Sequence, residues 1–280
     1  MEIIIAKTAG FCFGVKRAVD MAFEYASSQG TYTYGPIIHN EVVIKSLEDK
    51  GIKPIETIGD EPVKNLIIRS HGVSPKVYIE GKEKGIAIVD ATCPYVKKIH
   101  RYVQQYFEKG YGIIIAGNKD HPEIQGINGW ANESCFIVKD KEALNELQLE
   151  HTNKKYLLVA QTTYKKQVVD EIVGVLKEKG IDFEYINTIC NATKERQEEV
   201  IEIAKQVDVM LVLGSKKSSN SLKLFELSQR HCDKSYFIGD VSELMSELFS
   251  DCEKIGITAG ASTPASVIQE VISFLEKITH

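Results

Sequence analysis

No stretch of this chain approaches the roughly 20 consecutive apolar residues of a membrane span, so the sequence predicts no membrane contact. Cysteine is sparse, with six in 280 residues, too few for a disulfide scaffold. A folded chain of this length buries roughly three-quarters of its unfolded surface and needs no such scaffold. No two cysteines have the short spacing of a zinc ribbon. Positive charge is in deficit: 34 Lys and Arg against 39 Asp and Glu leave a net charge of −5, which argues against a nucleic-acid binder. At the N-terminus Glu2 and Lys7 flank only a short apolar run, so no signal peptide is predicted. The expected compartment is therefore the reducing cytoplasm, where grouped cysteines point to metal or redox work. Low-complexity tracts and long linkers are also absent. What remains is ordinary globular composition, 43% hydrophobic and 26% charged, which excludes disorder, collagen and coiled coil.

Three segments share one order of events: apolar run, cysteine, amphipathic helix. The runs are Ile3-Ile4-Ile5, Ile86 to Val89 and Phe183 to Ile186. They lead to Cys12, Cys93 and Cys190, and then to helical patterns beginning at Val15, Tyr95 and Ala192. In the first of these, Val15, Ala18, Val19 and Ala22 share one helical face. Further apolar runs follow in each segment and empty into compact polar groups. The first set is His39-Asn40-Glu41, Asp120-His121-Pro122-Glu123 and Ser218-Ser219-Asn220. The second set is Ser70-His71-Gly72, Gln161-Thr162-Thr163 and Gly260-Ala261-Ser262.

Helix starts are marked by Ser74-Pro75 and Thr263-Pro264, an N-cap residue followed by proline at the first helical position. After Pro264, the stripe Val267, Ile268, Val271, Phe274 and Leu275 has helical period. Gly51, Gly85, Gly110 and Gly180 stand where helix ends want a left-handed residue. Short buried strands alternating with helices imply parallel sheets. The expected fold is α/β: three small α/β domains with mainly parallel sheets, in a pseudo-threefold arrangement around a central cavity. The expected domains are residues 1–92 with Cys12, 93–189 with Cys93, and 190–280 with Cys190, the N-terminal strand being a candidate to pack with the third unit. Ligand sites in such sheets lie at the carboxyl ends of strands, and every such end here carries a cysteine or a polar group.

Cys12 sits in Ala9-Gly10-Phe11-Cys12-Phe13-Gly14, where glycines let backbone approach a bulky group. Cys93 precedes Pro94 at a helix start, and Cys190 precedes Asn191-Ala192-Thr193. Helix N-termini favour the thiolate that binds metal. The bland alternative is three small apolar fillers, and three cysteines in register weigh against it. Cys135, Cys232 and Cys252 fall outside the register and read as structural or incidental. A structural zinc site normally wants four ligands, whereas thiolates also favour iron–sulfur clusters. A cubane on three thiolates leaves one iron without a cysteine, a Lewis-acid site as well as an electron carrier.

The polar groups supply His39, His71, His121, Thr162, Ser218, Ser219, Asn220 and Ser262, mostly neutral donors, several at helix starts suited to phosphate. The run Gly214 to Ser221 resembles a phosphate loop in style, yet it is not a Walker A motif. Taken singly, each Ser or Asn is an ordinary cap and each His a surface or core filler. Taken together they read as a cradle for a diphosphate. His100, His151, His231 and His280 receive no role. Glu123 is a carboxyl expected in the same cavity, where desolvation would raise its pKa and let it deliver a proton.

The segments AGFCFGVKRAV, GPIIHN, SHGV, DATCPYV, GNKDHPE, QTT, ICNAT, GSKKSSNS and TAGASTP, in this order, resemble the LytB/IspH family of 4-hydroxy-3-methylbut-2-enyl diphosphate reductases across essentially the whole chain. The resemblance implies one [4Fe–4S] cluster on Cys12, Cys93 and Cys190. It implies a two-electron reductive dehydroxylation of an allylic diphosphate to isopentenyl and dimethylallyl diphosphates, the last step of the non-mevalonate pathway. By position it carries the diphosphate contacts to His39, His71, His121, Ser218, Ser219, Asn220 and Ser262, the substrate hydroxyl to Thr162, and the proton to Glu123. Ferredoxin or flavodoxin is the implied electron donor. Lys16, Arg17, Lys97, Lys98 and Arg101, which follow two of the cysteines, form a candidate docking face. A monomer or weak homodimer is expected. Two rival classes remain: a zinc or iron phosphohydrolase using the three histidines, and a non-enzymatic iron–sulfur sensor.

Overall fold

The computed structural model describes residues 1–59, 61–150, 154–250 and 252–279; His151 and His280 lie outside these. The strands in chain order are β1 Glu2–Ile5, β2 Thr31–Tyr34, β3 Lys53–Ile55, β4 Asn65–Ile68, β5 Ala87–Asp90, β6 Gly112–Ala116, β7 Phe136–Val138, β8 Tyr156–Ala160, β9 Phe183–Tyr185, β10 Val209–Leu213, β11 Ser235–Ile238 and β12 Lys254–Ala259. The helices are α1 Phe13–Glu24, α2 Glu41–Glu48, α3 Pro75–Glu83, α4 Pro94–Glu108, α5 Pro122–Gly129, α6 Lys141–Asn145, α7 Lys166–Glu178, α8 Asn191–Ala204, α9 Ser219–Gln229 and α10 Ala265–Thr279.

The strands form three four-stranded sheets, ordered β1-β12-β10-β11, β3-β2-β4-β5 and β7-β6-β8-β9. Every pairing is parallel. The α/β reading with three parallel sheets therefore holds. Strands β6, β8 and β10 read GIIIA, YLLVA and VMLVL and are buried along their whole length. Continuous apolar runs are what a parallel strand covered on both faces requires, and each fully buried Ile, Leu or Val side chain contributes about 1.5–3 kcal/mol.

By packing, the chain divides into two compact units. The terminal unit comprises Met1–Val19, Ile38–Ser46 and Asn191–His280. Its sheet joins the two ends of the chain: β1 pairs with β12 in the register Glu2↔Lys254 to Ile5↔Ile257. Helix α10 packs on this sheet with Ile268, Val271, Phe274 and Leu275, four of the five residues of the stripe expected from the sequence. The middle unit comprises Asp20–Ile37 and Leu47–Cys190 and contains the other two sheets.

Local chemistry explains most element boundaries. Ser74 caps α3 by accepting from Lys76 N, with Pro75 at the first helical position. Thr263 Oγ1, just before α10, donates to Leu213 O and ties the helix start to the end of β10. Gly51, Gly85, Gly110 and Gly180 all have positive φ, between 65° and 84°. Helix α4 buries Val96, Ile99, His100 and Val103, one helical face. The polar stretch after Val138 holds α6, capped by Asp140 Oδ1 on Ala143 N.

Candidate functional site

In the middle unit the candidate residues sit on interlocked loops. After β4, Ser70 donates through both its backbone N and its Oγ to Ile37 O. Ser70 O in turn accepts from Cys93 N at 2.9 Å, so the turn that carries His71 also seats Cys93. Cys93 is the N-cap of α4, with Pro94 behind it and no side-chain capping bond. The His71 and His121 rings meet edge to face at 5.3 Å between centroids. His121 caps α5, its Nδ1 accepting from Glu123 N at 3.1 Å. With Nδ1 used as acceptor, the neutral ring carries its proton on Nε2, a donor suited to an anion.

Glu123 is 2% exposed. Its Oε1 accepts from Thr162 N and its Oε2 from Thr162 Oγ1, both at 2.6 Å. Burial pushes its pKa up to about 7, against the pull of the two Thr162 hydrogen bonds. Thr162 O accepts from Cys190 N at 3.0 Å. One threonine thus holds the buried acid with two groups and a cysteine with the third. Gln161 locks the same corner: its Oε1 accepts from Asn118 N and its Nε2 donates to Thr163 Oγ1.

In the terminal unit, Cys12 N donates to Ala261 O at 3.2 Å. The preceding loop is held by α8. Glu199 accepts from Lys7 N, Thr8 N and Thr8 Oγ1 at 2.7, 3.0 and 2.5 Å. Arg196, 5% exposed, donates to Gly10 O at 2.8 Å and to Ala192 O at 3.0 Å. Sequence reasoning passed over both residues, since nothing in their spacing announces a role. Ser218 caps α9, accepting from Ser221 N, and Ser219 is its first residue. Asn220 is 4% exposed, and neither its Oδ1 nor its Nδ2 has a partner among the described residues. Leaving such a group unsatisfied costs about 1–3 kcal/mol. Ser262 Oγ donates to the carbonyl of His39 at 3.2 Å, and Asn40 Oδ1 accepts from Val43 N at the start of α2. A side chain on Gly214 or Gly260 would collide with Ser221, so the α9 start packs directly on the ends of β10 and β12.

Two of the other cysteines behave as fillers. Burial pushes the Cys135 thiol up to about 12, and Cys232 is buried against the carbonyls of Val207 and Asp208. Among the candidate docking cations, Lys97 is paired with Asp90 at 2.7 Å.

These strand ends define an α/β enzyme that presents cysteines, a buried acid and uncharged anion donors. Residues 3–276 match the family model described as LytB protein, and the chain belongs to that family. It is 45% identical over 284 residues to the 4-hydroxy-3-methylbut-2-enyl diphosphate reductase of Caldanaerobacter subterraneus subsp. tengcongensis, covering 99% of this chain and 98% of that one. It is 45% identical over 281 residues to the protein of the same name from Clostridioides difficile, covering 99% and 100%. Among solved structures, the E-1-hydroxy-2-methyl-but-2-enyl-4-diphosphate reductase of Plasmodium falciparum superposes with a TM-score of 0.90 at 34% identity, covering 100% of this chain and 88% of that one. A second, described as the terminal enzyme of the non-mevalonate pathway, gives 0.73 at 39% identity, with 99% and 100% covered. The chain is an oxidoreductase of this iron–sulfur family. No helix among the described residues is long and apolar enough to cross a membrane.

Proposed function

We propose that this chain reduces 4-hydroxy-3-methylbut-2-enyl diphosphate to isopentenyl and dimethylallyl diphosphates, the last step of the non-mevalonate pathway, in the cytoplasm. The single observation that carries this reading is the Glu123–Thr162–Cys190 arrangement: a buried acid with a pKa near 7, fixed by a threonine whose carbonyl accepts from a cysteine N–H. Three cysteines outside any disulfide, each with its backbone N–H bonded to a strand-end loop, fit a thiolate-held cofactor. Cys12, Cys93 and Cys190 would hold a [4Fe–4S] cluster. When bound, the cluster supplies electrons and one Lewis-acidic iron without a cysteine.

The rest of the chemistry falls to side chains of this chain. His39, His71, His121, Ser218, Ser219, Asn220 and Ser262 bind the diphosphate with neutral donors and a helix start, and Asn220 gains the partner it lacks. Thr162 holds Glu123 and orients the substrate hydroxyl. Overall, one C–O bond breaks and one C–H bond forms, consuming two electrons and two protons and releasing water. Glu123, half protonated near neutrality, delivers a proton to the departing oxygen. The electrons come from ferredoxin or flavodoxin, and the chain works as a monomer or weak homodimer.

The test is anaerobic oxidation of a reduced viologen by the iron-loaded protein, with and without the allylic diphosphate. Substrate-dependent oxidation supports the assignment. Its absence in protein carrying about four irons per chain refutes it.

A further inference from the structure

The sequence assigns His100 no role, and its surroundings are unusual. It is 3% exposed on α4, two turns beyond Cys93. Its ring stacks on Trp130 at 5.2 Å with an interplanar angle of 22°. Its Nε2 has no hydrogen-bond partner among the described residues. Burial pushes its pKa down to about 4, so the ring is neutral at working pH. A phenylalanine would fill the same space without an unsatisfied nitrogen, so packing alone does not account for an imidazole here.

What the ring presses on is the turn that carries His71. Gly72 has φ of +72°, and a Cβ there would lie 2.5 Å from His100 Cε1 and 3.0 Å from Thr92 Cγ2. Trp130 holds the next residue, donating Nε1 to Val73 O at 3.1 Å. Helix α5, which begins with the Glu123 segment, closes the third side. A Cβ on Gly126 would meet the Gly72 carbonyl and Val73 N at 3.3 Å, and one on Gly129 would meet Ser74 at 2.4 Å. Two helices, one starting at Cys93 and one at His121, therefore grip a single turn, and the His100–Trp130 stack joins them.

We infer that His100 and Trp130 are positioning residues for the diphosphate site, holding the Gly72 turn so that His71 stays against His121. This rests on the reading above that these two histidines bind the diphosphate. Trp130 is the only tryptophan in the chain, so its emission reports this junction alone. The proposal makes two demands that a merely structural stack does not. Anion binding must be felt at Trp130, and loosening the junction must weaken binding more than chemistry.

The test uses the iron-loaded protein under anaerobic conditions. Inorganic diphosphate is titrated in, with Trp130 emission and calorimetric heat followed together. The expected result is an emission change that saturates with the calorimetric midpoint and is absent in His71→Ala. Trp130→Phe keeps a ring on His100 but drops the N–H. It should raise KM for the allylic diphosphate about fivefold, the scale of one hydrogen bond, with kcat within about twofold. Absence of calorimetric binding, binding without an emission change, or a loss of kcat at unchanged KM would overturn the proposal. If wild type turns over no allylic diphosphate, the functional reading fails, and the diphosphate titration still decides the role of the junction.

Discussion

Replacing Glu123 by Gln should move activity and stability in opposite directions. Gln keeps an oxygen for Thr162 N and occupies nearly the same volume, so the hydrogen-bonded link from residue 123 through Thr162 to Cys190 remains in place. The variant cannot deliver a proton, and loss of a general acid costs about 10²-fold or more in turnover. In wild type, the protonated form is lost as pH rises through about 7, so the proton-delivery step should slow about tenfold per pH unit above that point. That alkaline limb should vanish in the variant. Stability follows the same titration. The pKa is raised in the folded state, from 4.5 to about 7, so the folded protein binds the extra proton. The resulting stabilisation is fully present below pH 4.5 and is lost as pH rises through about 7, an effect on the order of 3 kcal/mol. At pH 8 wild type must keep a buried carboxylate that Gln does not, so Glu123→Gln should unfold several degrees higher there, with little difference at pH 5. The assays are anaerobic viologen turnover across pH 6 to 9, a range about one to two units either side of the expected pKa, and thermal unfolding at both pH values. Wild-type turnover in Glu123→Gln would remove the residue from proton delivery. A variant less stable than wild type at pH 8 would show that the carboxylate is well solvated by its partners and that burial does not dominate.

Three further substitutions follow from the same structure. Cys93→Ser should lose or weaken cofactor binding, read as iron per chain on anaerobic purification, and full iron content would remove Cys93 from the ligand set. Asn220→Ala should raise KM for the diphosphate by roughly tenfold while leaving the folded protein as stable or more stable, because it deletes a buried amide with no partner; a destabilised variant with normal KM would refute its role as a waiting donor. Burial disfavours the Glu199 carboxylate, but hydrogen bonds from Thr8 and Lys7 outweigh this and hold its pKa below the usual value. Glu199→Gln should therefore lower the unfolding temperature by a few degrees at pH 7, with the difference fading as pH falls through the carboxylate range; a pH-independent difference would show that shape, not charge, holds the Cys12 loop.

The parts of this protein that were readable in advance are those whose chemistry is local. Glycines with positive φ at helix ends, Ser74-Pro75, Cys93-Pro94 and His121-Pro122 mark their places because a cap or a proline dictates backbone geometry within a few residues. Fully apolar strands such as β6 and β10 were visible for the same reason. Strands β3, β7 and β11 were not. All three lie at the edge of their sheets, and β3 contains Pro54, which an edge tolerates because one side of its ladder is empty.

The site divides along the same line. Its cysteines, histidines and serines are residue types that declare themselves at strand ends. The groups that hold them do not: Arg196 reaches Gly10, Glu199 reaches Thr8, and Trp130 reaches Val73, each through contacts far apart along the chain. Glu123 stands between the two cases. Its position after His121-Pro122 suggested an acid in the cavity. What raises its pKa is complete burial, and what limits the rise is a threonine 39 residues away. Residue type could nominate the acid, but only the packing that buries it and the threonine that binds it set its pKa near neutral pH.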